Sequence, residues 1–394
     1  MQANSNLGKT GLILMGGGAR AAYQVGVLDS VRAILVAEGW PLTKNPFPII
    51  CGTSAGALNA VALAASSNNF EEAMNGILQV WSNFRASQVY RTDALGSFSN
   101  AAHWLAALGL GWVIKSRPRS LFNNSPLADL LKDFIDFARL QRAFDEGHMH
   151  ALAVTASSYT SGQHVTYYQS KTQIEPWYRT QRLAVPTEIN IDHLMASSAI
   201  PFVFPAVSLR LDQGHEFFGD GSIRQTAPIS PAIHLGADRV MVIGVGQLQV
   251  GRERTNHSAS QYAYPSLAQI GGHTMSSIFL DALANDIERL SRVNQTLTLI
   301  PEQTRLESKL RPVKVLVISP SQRLDQMAAY HVTSLPRTVR TMMSMLGATE
   351  QRGLGLLSYL LFESGYTREL IELGRKDTLA QRERVIEFFG ASVA

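Results

Sequence analysis

From Lys9 to Met15 the chain reads Lys-Thr-Gly-Leu-Ile-Leu-Met, and this unbroken apolar run predicts a strand covered on both faces. Gly16-Gly17-Gly18 interrupts it. From Ala19 to Ala37 apolar residues return at helical spacing, at Ala22, Val25, Val27, Leu28, Val31, Ile34 and Leu35. A second apolar run, Phe47 to Cys51, leads into Gly52-Thr53-Ser54-Ala55-Gly56, and the Ala-rich stretch Ala57 to Ala65 reads as a helix. Strand, helix, strand, helix predicts a parallel sheet with helical crossovers.

Further along, residues 70 to 140 read as mostly helical. Leu152 to Ala156 and His164 to Tyr168 resemble strands, Phe217-Phe218 leads into Gly219-Asp220-Gly221, and Arg239 to Gly246 has the pattern of a buried strand. Gly251 to Pro265 is polar and reads as a surface loop. Beyond it the pattern is helical except for Val313 to Ser319, a strand-like piece expected to join the same sheet. Leu354 to Leu361 with Phe362 is expected in the core or at a subunit contact, Phe388 and Phe389 are expected to dock the last helix, and the charges from Arg368 to Arg384 read as a solvated face. These patterns favour one domain with a helical C-terminal portion.

Composition narrows the classes. At 394 residues, 45% hydrophobic and 17% charged, the chain is globular rather than disordered. Its single cysteine, Cys51, excludes a disulfide framework within the chain and reads as a small buried apolar residue. The first ten residues lack the charged start and apolar stretch of a signal peptide, and no run of about 18 apolar residues offers a spanning helix. These features lean towards the cytosol. A formal charge of +4 permits attraction to anionic surfaces without predicting nucleic-acid binding. Ala101 to Ile114 is apolar, carries Trp104 and Trp112, and is followed by Lys115, Arg117 and Arg119. That suits either a buried helix or a lid that contacts a lipid interface, giving peripheral membrane contact.

Gly52-Thr53-Ser54-Ala55-Gly56, placed between a strand and a helix, has the context of a nucleophile elbow. The competing reading is a Gly-rich turn with a capping serine. Serine attack on an ester needs a base and oxyanion donors as well. Gly16, Gly17 and Gly18 are candidate donors, because glycines at a strand-to-helix junction let amides face inward without side chains. Arg20 in the next turn opposes the helix dipole, so it is expected to hold a substrate phosphate or to brace the loop through a carboxylate. One βα unit before the nucleophile strand argues against an α/β-hydrolase triad. Asp220, flanked by glycines after an apolar pair, is the alternative base, provided that desolvation raises its pKa; otherwise it is an ordinary Asp-Gly turn.

The Gly-Gly-Gly-Ala-Arg loop, the Gly-Thr-Ser-Ala-Gly elbow, Met195-Ala-Ser-Ser-Ala-Ile-Pro-Phe-Val-Phe-Pro205 and the later Asp-Gly occur in that order, and together they resemble the patatin-like phospholipase family. The resemblance covers roughly residues 9 to 246, with the C-terminal third matching only loosely. It implies a three-layer α/β/α sandwich with a mainly parallel central sheet, a catalytic domain over 9–246, and a mainly helical portion over 247–394 packed on it. It also implies a Ser54–Asp220 catalytic dyad without histidine, an oxyanion hole at Gly16 to Gly18, and hydrolysis of phospholipid acyl esters through an acyl-enzyme with no metal or other cofactor. The activity expected is phospholipase A or lysophospholipase. A carboxylesterase or thioesterase would use the same residues, and a non-catalytic nucleotide- or phosphate-binding protein built on the glycine loop is a further alternative. Three positions depart from the family pattern: Met15 where many members carry Asp, Ala21 where Gly is frequent, and Ser222 where Gly or Ala is usual. All three lie outside the proposed chemistry and bear on substrate preference.

Overall fold

Strands whose every residue is buried need a cover on both faces, and such strands form the centre of the molecule. The structure, a computed structural model, describes residues 8–92, 120–211, 214–247, 264–301, 303–304, 310–350 and 353–390. The expected lid at 101–114 and the basic residues after it lie outside the described residues, as does 251–263 of the expected surface loop.

The strands are β1 (Thr10–Leu14), β2 (Ile49–Thr53), β3 (Ala151–Ser158), β4 (His164–Ser170), β5 (Tyr178–Arg179), β6 (Arg182–Pro186), β7 (Val207–Leu211), β8 (Gly214–Asp220), β9 (Arg239–Ile243) and β10 (Lys314–Ile318). Helices of the first half are α1 (Ala22–Ala37), α2 (Ala55–Ala65), α3 (Phe70–Ser82), α4 (Ser125–Phe134), α5 (Phe137–Asp145), α6 (Ile191–Ser197) and α7 (Ser230–His234). The second half adds α8 (Leu267–Ser276), α9 (Ala282–Leu299), α10 (Leu324–Ala329), α11 (Arg337–Met345), α12 (Leu354–Leu360), α13 (Ser364–Leu379) and α14 (Arg382–Phe389).

All ten strands join one sheet, ordered β10-β9-β1-β2-β3-β4-β6-β5, with β8 paired to β3 and β7. From β10 to β3 every pairing is parallel. The pairings β3–β4, β3–β8, β5–β6 and β7–β8 are antiparallel. Alternation along the strands separates two cores. Leu12, Leu14, Ile50, Leu152 and Val154 face one side with α1, α2 and α13, whereas Ile13, Ile49, Cys51, Ala151 and Ala153 face the other, with α7 and Leu283 of α9. This is a three-layer α/β/α sandwich around a sheet whose centre is parallel, as expected. The C-terminal portion is tied into it twice: β10 extends the sheet beyond β9, and α13 packs along α1. Leu357, Leu361 and Phe388 are almost wholly buried, and Phe389 meets Phe47 edge-on at 5.7 Å.

Strand β3 does the positioning. Ala151 to Thr155 pair with β2, and Ala156 to Ser158 pair with β8. Strand β4 occupies the opposite edge of β3. So β2 and β8 approach one another end to end along a single strand: Thr53 stands opposite Thr155, and Asp220 opposite Ala156. The residue that follows Thr53 is Ser54.

Candidate active site

Ser54 has φ 55° and ψ −132°, a conformation that a side chain rarely adopts and that carries strain. It sits at the N-terminus of α2 yet makes no capping bond with its side chain. Instead its amide donates to Ser197 Oγ at 2.9 Å. The capping-serine reading of the pentapeptide therefore fails, and the hydroxyl is left for other work. The turn is sharp because α2 starts against β1: a Cβ on Gly56 would collide with the Leu14 carbonyl and come within 2.6 Å of the Met15 carbonyl.

Asp220 is 1% exposed, as is Ser54. Its Oδ1 accepts from the Ser222 amide at 2.9 Å, which is the Asp-turn role, while Oδ2 has no partner that meets hydrogen-bond geometry. Burial, partly offset by the nearby Ser54 hydroxyl and the Ser222 amide and hydroxyl, leaves its carboxyl pushed up to about 6. The serine hydroxyl thus influences the carboxyl at close range without a fully formed bond, and bonds between reacting groups often tighten only around substrate. Among the described residues no histidine side chain bonds to either group. His164 is a buried ring beside this loop; its Nε2 has no hydrogen-bond partner among the described residues, and burial holds it down at about 4.

Gly16 overlies the pair, since a Cβ there would come within 3.0 Å of Ser54 Cβ and collide with Ser222 Oγ. No described hydrogen bond uses the amides of Gly16, Gly17 or Gly18 as donors. Gly18 has φ 53° and lies against the Tyr359 carbonyl, where no side chain would fit. Arg20 is placed differently from the expectation of a phosphate ligand. It is 4% exposed, with Nε and Nη2 donating to Ser358 Oγ at 2.9 and 2.6 Å and Nη1 to the Tyr359 hydroxyl at 3.0 Å. Of the two roles foreseen, the geometry supports bracing, through hydroxyls and a ring rather than a carboxylate.

Beside Ser54 opens a cavity of about 40 Å³ lined by Leu58, Trp81, Phe84, Leu131, Ile200 and Phe204 among others. An engineered cavity of about 150 Å³ holds one benzene, so these walls must part before an acyl chain enters. A buried chain of amides fixes one wall: Gln24 donates to the Met15 carbonyl at 2.6 Å, Asn59 to Gln24 at 3.0 Å, and Trp81 to Asn59 at 2.7 Å. Among the described residues no group of acidic, histidine or cysteine side chains is arranged to hold a metal ion. Likewise, no helix among them is long and apolar enough to cross a membrane.

A strained serine between a buried strand and a helix, at the carboxyl end of a central strand and beside a desolvated carboxyl, defines the class of protein. Residues 12–233 match the pattern described as Patatin-like phospholipase, and the chain belongs to that family. It is 28% identical over 223 residues to a cGAMP-activated phospholipase of Pseudomonas aeruginosa (strain BWHPSA011 / Pa011). That match covers 55% of this chain and 53% of the relative, so the chain spans about half of that protein's length. VipD from Legionella pneumophila is similar at 16% identity, covering 92% of this chain and 67% of that one, but its TM-score of 0.29 carries no argument.

Sequence reasoning missed Ser197, Phe279, Ser358 and Tyr359. Ser197 lies inside the Met195 to Pro205 segment that carried the resemblance. The other three stand in helical stretches that show no sign of their contact with the glycine loop.

Proposed function

We propose that this chain is a lipid acyl hydrolase, a phospholipase A or lysophospholipase, working through a Ser54–Asp220 dyad. The observation that carries the reading is the end-to-end meeting of β2 and β8, with the buried Ser54 and Asp220 side chains at the junction. Asp220, ionised above about 6, takes the Ser54 proton as the hydroxyl attacks the acyl carbonyl. Amides of Gly16 to Gly18 stabilise the oxyanion. As the tetrahedral intermediate collapses, the protonated Asp220 gives its proton to the leaving alkoxide, and the acyl group stays on Ser54. A water then delivers its proton to Asp220 and attacks the acyl-enzyme; as this second tetrahedral intermediate collapses, Asp220 returns the proton to the departing Ser54 oxygen and the fatty acid is released. The apolar side chains that line the small cavity beside Ser54 suit an acyl chain once they part to admit it. No metal or cofactor enters this scheme.

Membrane contact belongs to the same reading. Phe202 is 71% exposed and Phe217 57%, and both lie on segments that lead to the site. Exposed aromatics suit an acyl–headgroup boundary.

A fluorophosphonate probe tests the proposal. Labelling of the wild-type protein that disappears in Ser54→Ala, with release of fatty acid from phospholipid vesicles, is the expected result. Folded protein that neither labels nor hydrolyses would overturn it. Comparing phospholipid, triglyceride and acyl-thioester substrates separates the phospholipase from a general esterase or thioesterase.

A further inference from the structure

Each glycine of the 16–18 loop is held by a residue that lies beyond the family-matched segment. Val245, just past β9, packs on Gly17, and the Tyr359 carbonyl of α12 packs on Gly18. Phe279 comes within 2.8 Å of a Cβ position on Gly16. Phe279 sits in a π-turn, Ser277–Asp281, that interrupts the helical run between α8 and α9. Such turns insert one residue and often mark functional positions. Phe279 is 1% exposed and stacks on Tyr359 with ring centroids 5.0 Å apart. The Arg20 guanidinium in turn lies 3.9 Å from the Tyr359 ring centroid and donates to its hydroxyl. Leu280, the next residue of the π-turn, fills the space at Gly246. The π-turn, α12 and the glycine loop thus form one continuous packed unit.

Three consecutive glycines have no side chains of their own to fix their amides, and glycine backbones are the most mobile. Oxyanion donors act only within about 2.7–3.1 Å of the developing charge, and a misplacement of about 1 Å can lower turnover by about 10². Something outside the loop has to set its geometry. We infer that Phe279 and Tyr359 are positioning residues for the oxyanion donors, so that the C-terminal portion completes the active site. This inference rests on the dyad reading above.

The test compares Phe279→Leu and Tyr359→Phe with Leu297→Ala, a buried change on α9 well along the helix from the loop. The readouts are kcat and KM on a soluble short-chain ester, affinity for a trifluoromethyl ketone that forms a tetrahedral adduct, and the thermal midpoint. Phe279→Leu is expected to lower kcat by about 10–100-fold with KM within about twofold, and adduct affinity is expected to fall in step, as for a weakened oxyanion donor. Tyr359→Phe keeps the stack but loses the Arg20 bond, and should lower kcat by about 3–10-fold. Leu297→Ala should lower the midpoint and leave kcat per folded molecule unchanged. If Phe279→Leu does not fold, Tyr359→Phe decides alone. Ser54-dependent turnover that neither variant reduces beyond Leu297→Ala overturns this inference and leaves the dyad intact. Absence of Ser54-dependent turnover in the wild-type protein sinks both.

Discussion

Two buried ionisable side chains flank the glycine loop, and they are treated in opposite ways. Arg20 finds hydroxyls, a carbonyl and an aromatic face for its guanidinium, all on α12. Asp220 has one oxygen satisfied by a turn amide and the other left short, beside a serine hydroxyl. Burial of a polar group is tolerated cheaply when its bonds are complete and remains expensive when they are not. In the proposed dyad this difference divides labour: the satisfied cation holds structure, and the unsatisfied carboxyl would keep free energy in reserve for a proton transfer.

The sharpest way to break this comparison is activity. Asp220→Asn removes the base and should lower kcat by about 10⁴-fold in a steady-state esterase assay, in the range seen for other nucleophile–base pairs. A loss as deep in Arg20→Ala at equal folded fraction would erase the distinction. Next comes stability of the satisfied side. Arg20→Ala strands the Tyr359 hydroxyl, leaves Ser358 Oγ with only its bond to the Gly355 carbonyl, and opens a cavity, and urea melts should show a loss of about 3 kcal/mol.

On the unsatisfied side the sign reverses. The Asp220 carboxyl titrates near 6 when folded, against an ordinary 3.8. Between those values the folded protein binds the extra proton, so stability from this group falls as pH rises through the window. Above it the buried charge is a full burden. Asp220→Asn should therefore stabilise the protein by up to about 3 kcal/mol at pH 8, with the gain fading towards pH 4. The same titration sets kcat/KM, which should rise with pH to a plateau above an apparent pKa of about 6. A profile flat down to pH 4.5 would remove Asp220 as the base. The smallest expected effect is Ser54→Gly, which relieves the φ 55° strain and should raise stability by about 1 kcal/mol while abolishing labelling.

Much of this was legible locally. The continuous apolar runs gave β1, β2 and β9 and the parallel character between them, because strands covered on both faces need apolar residues at every position. Strand β10 was visible from its run Val315 to Ile318, although as an end strand of the sheet it is only partly covered. The short pieces β5, β6 and β7 were not: Tyr178–Arg179 is two exposed residues, and β7 mixes exposed and buried positions. Arg20 shows the limit for side chains. Its position after the glycines marked it as unusual, but Ser358 and Tyr359 are over 300 residues away, and no local pattern pairs them.

The chain's own residue order determined the serine elbow, the glycine loop and the candidate aspartate, since each depends on small residues at a turn, and turns are local. Tertiary structure decided the rest. It brought β8 back along β3 until Asp220 faced Ser54, and it set the C-terminal π-turn and α12 against the glycine loop. It also chose which buried charge would be satisfied. The physical reason is that desolvation and hydrogen-bond completion belong to a place in space, and residues reach that place from distant parts of the chain.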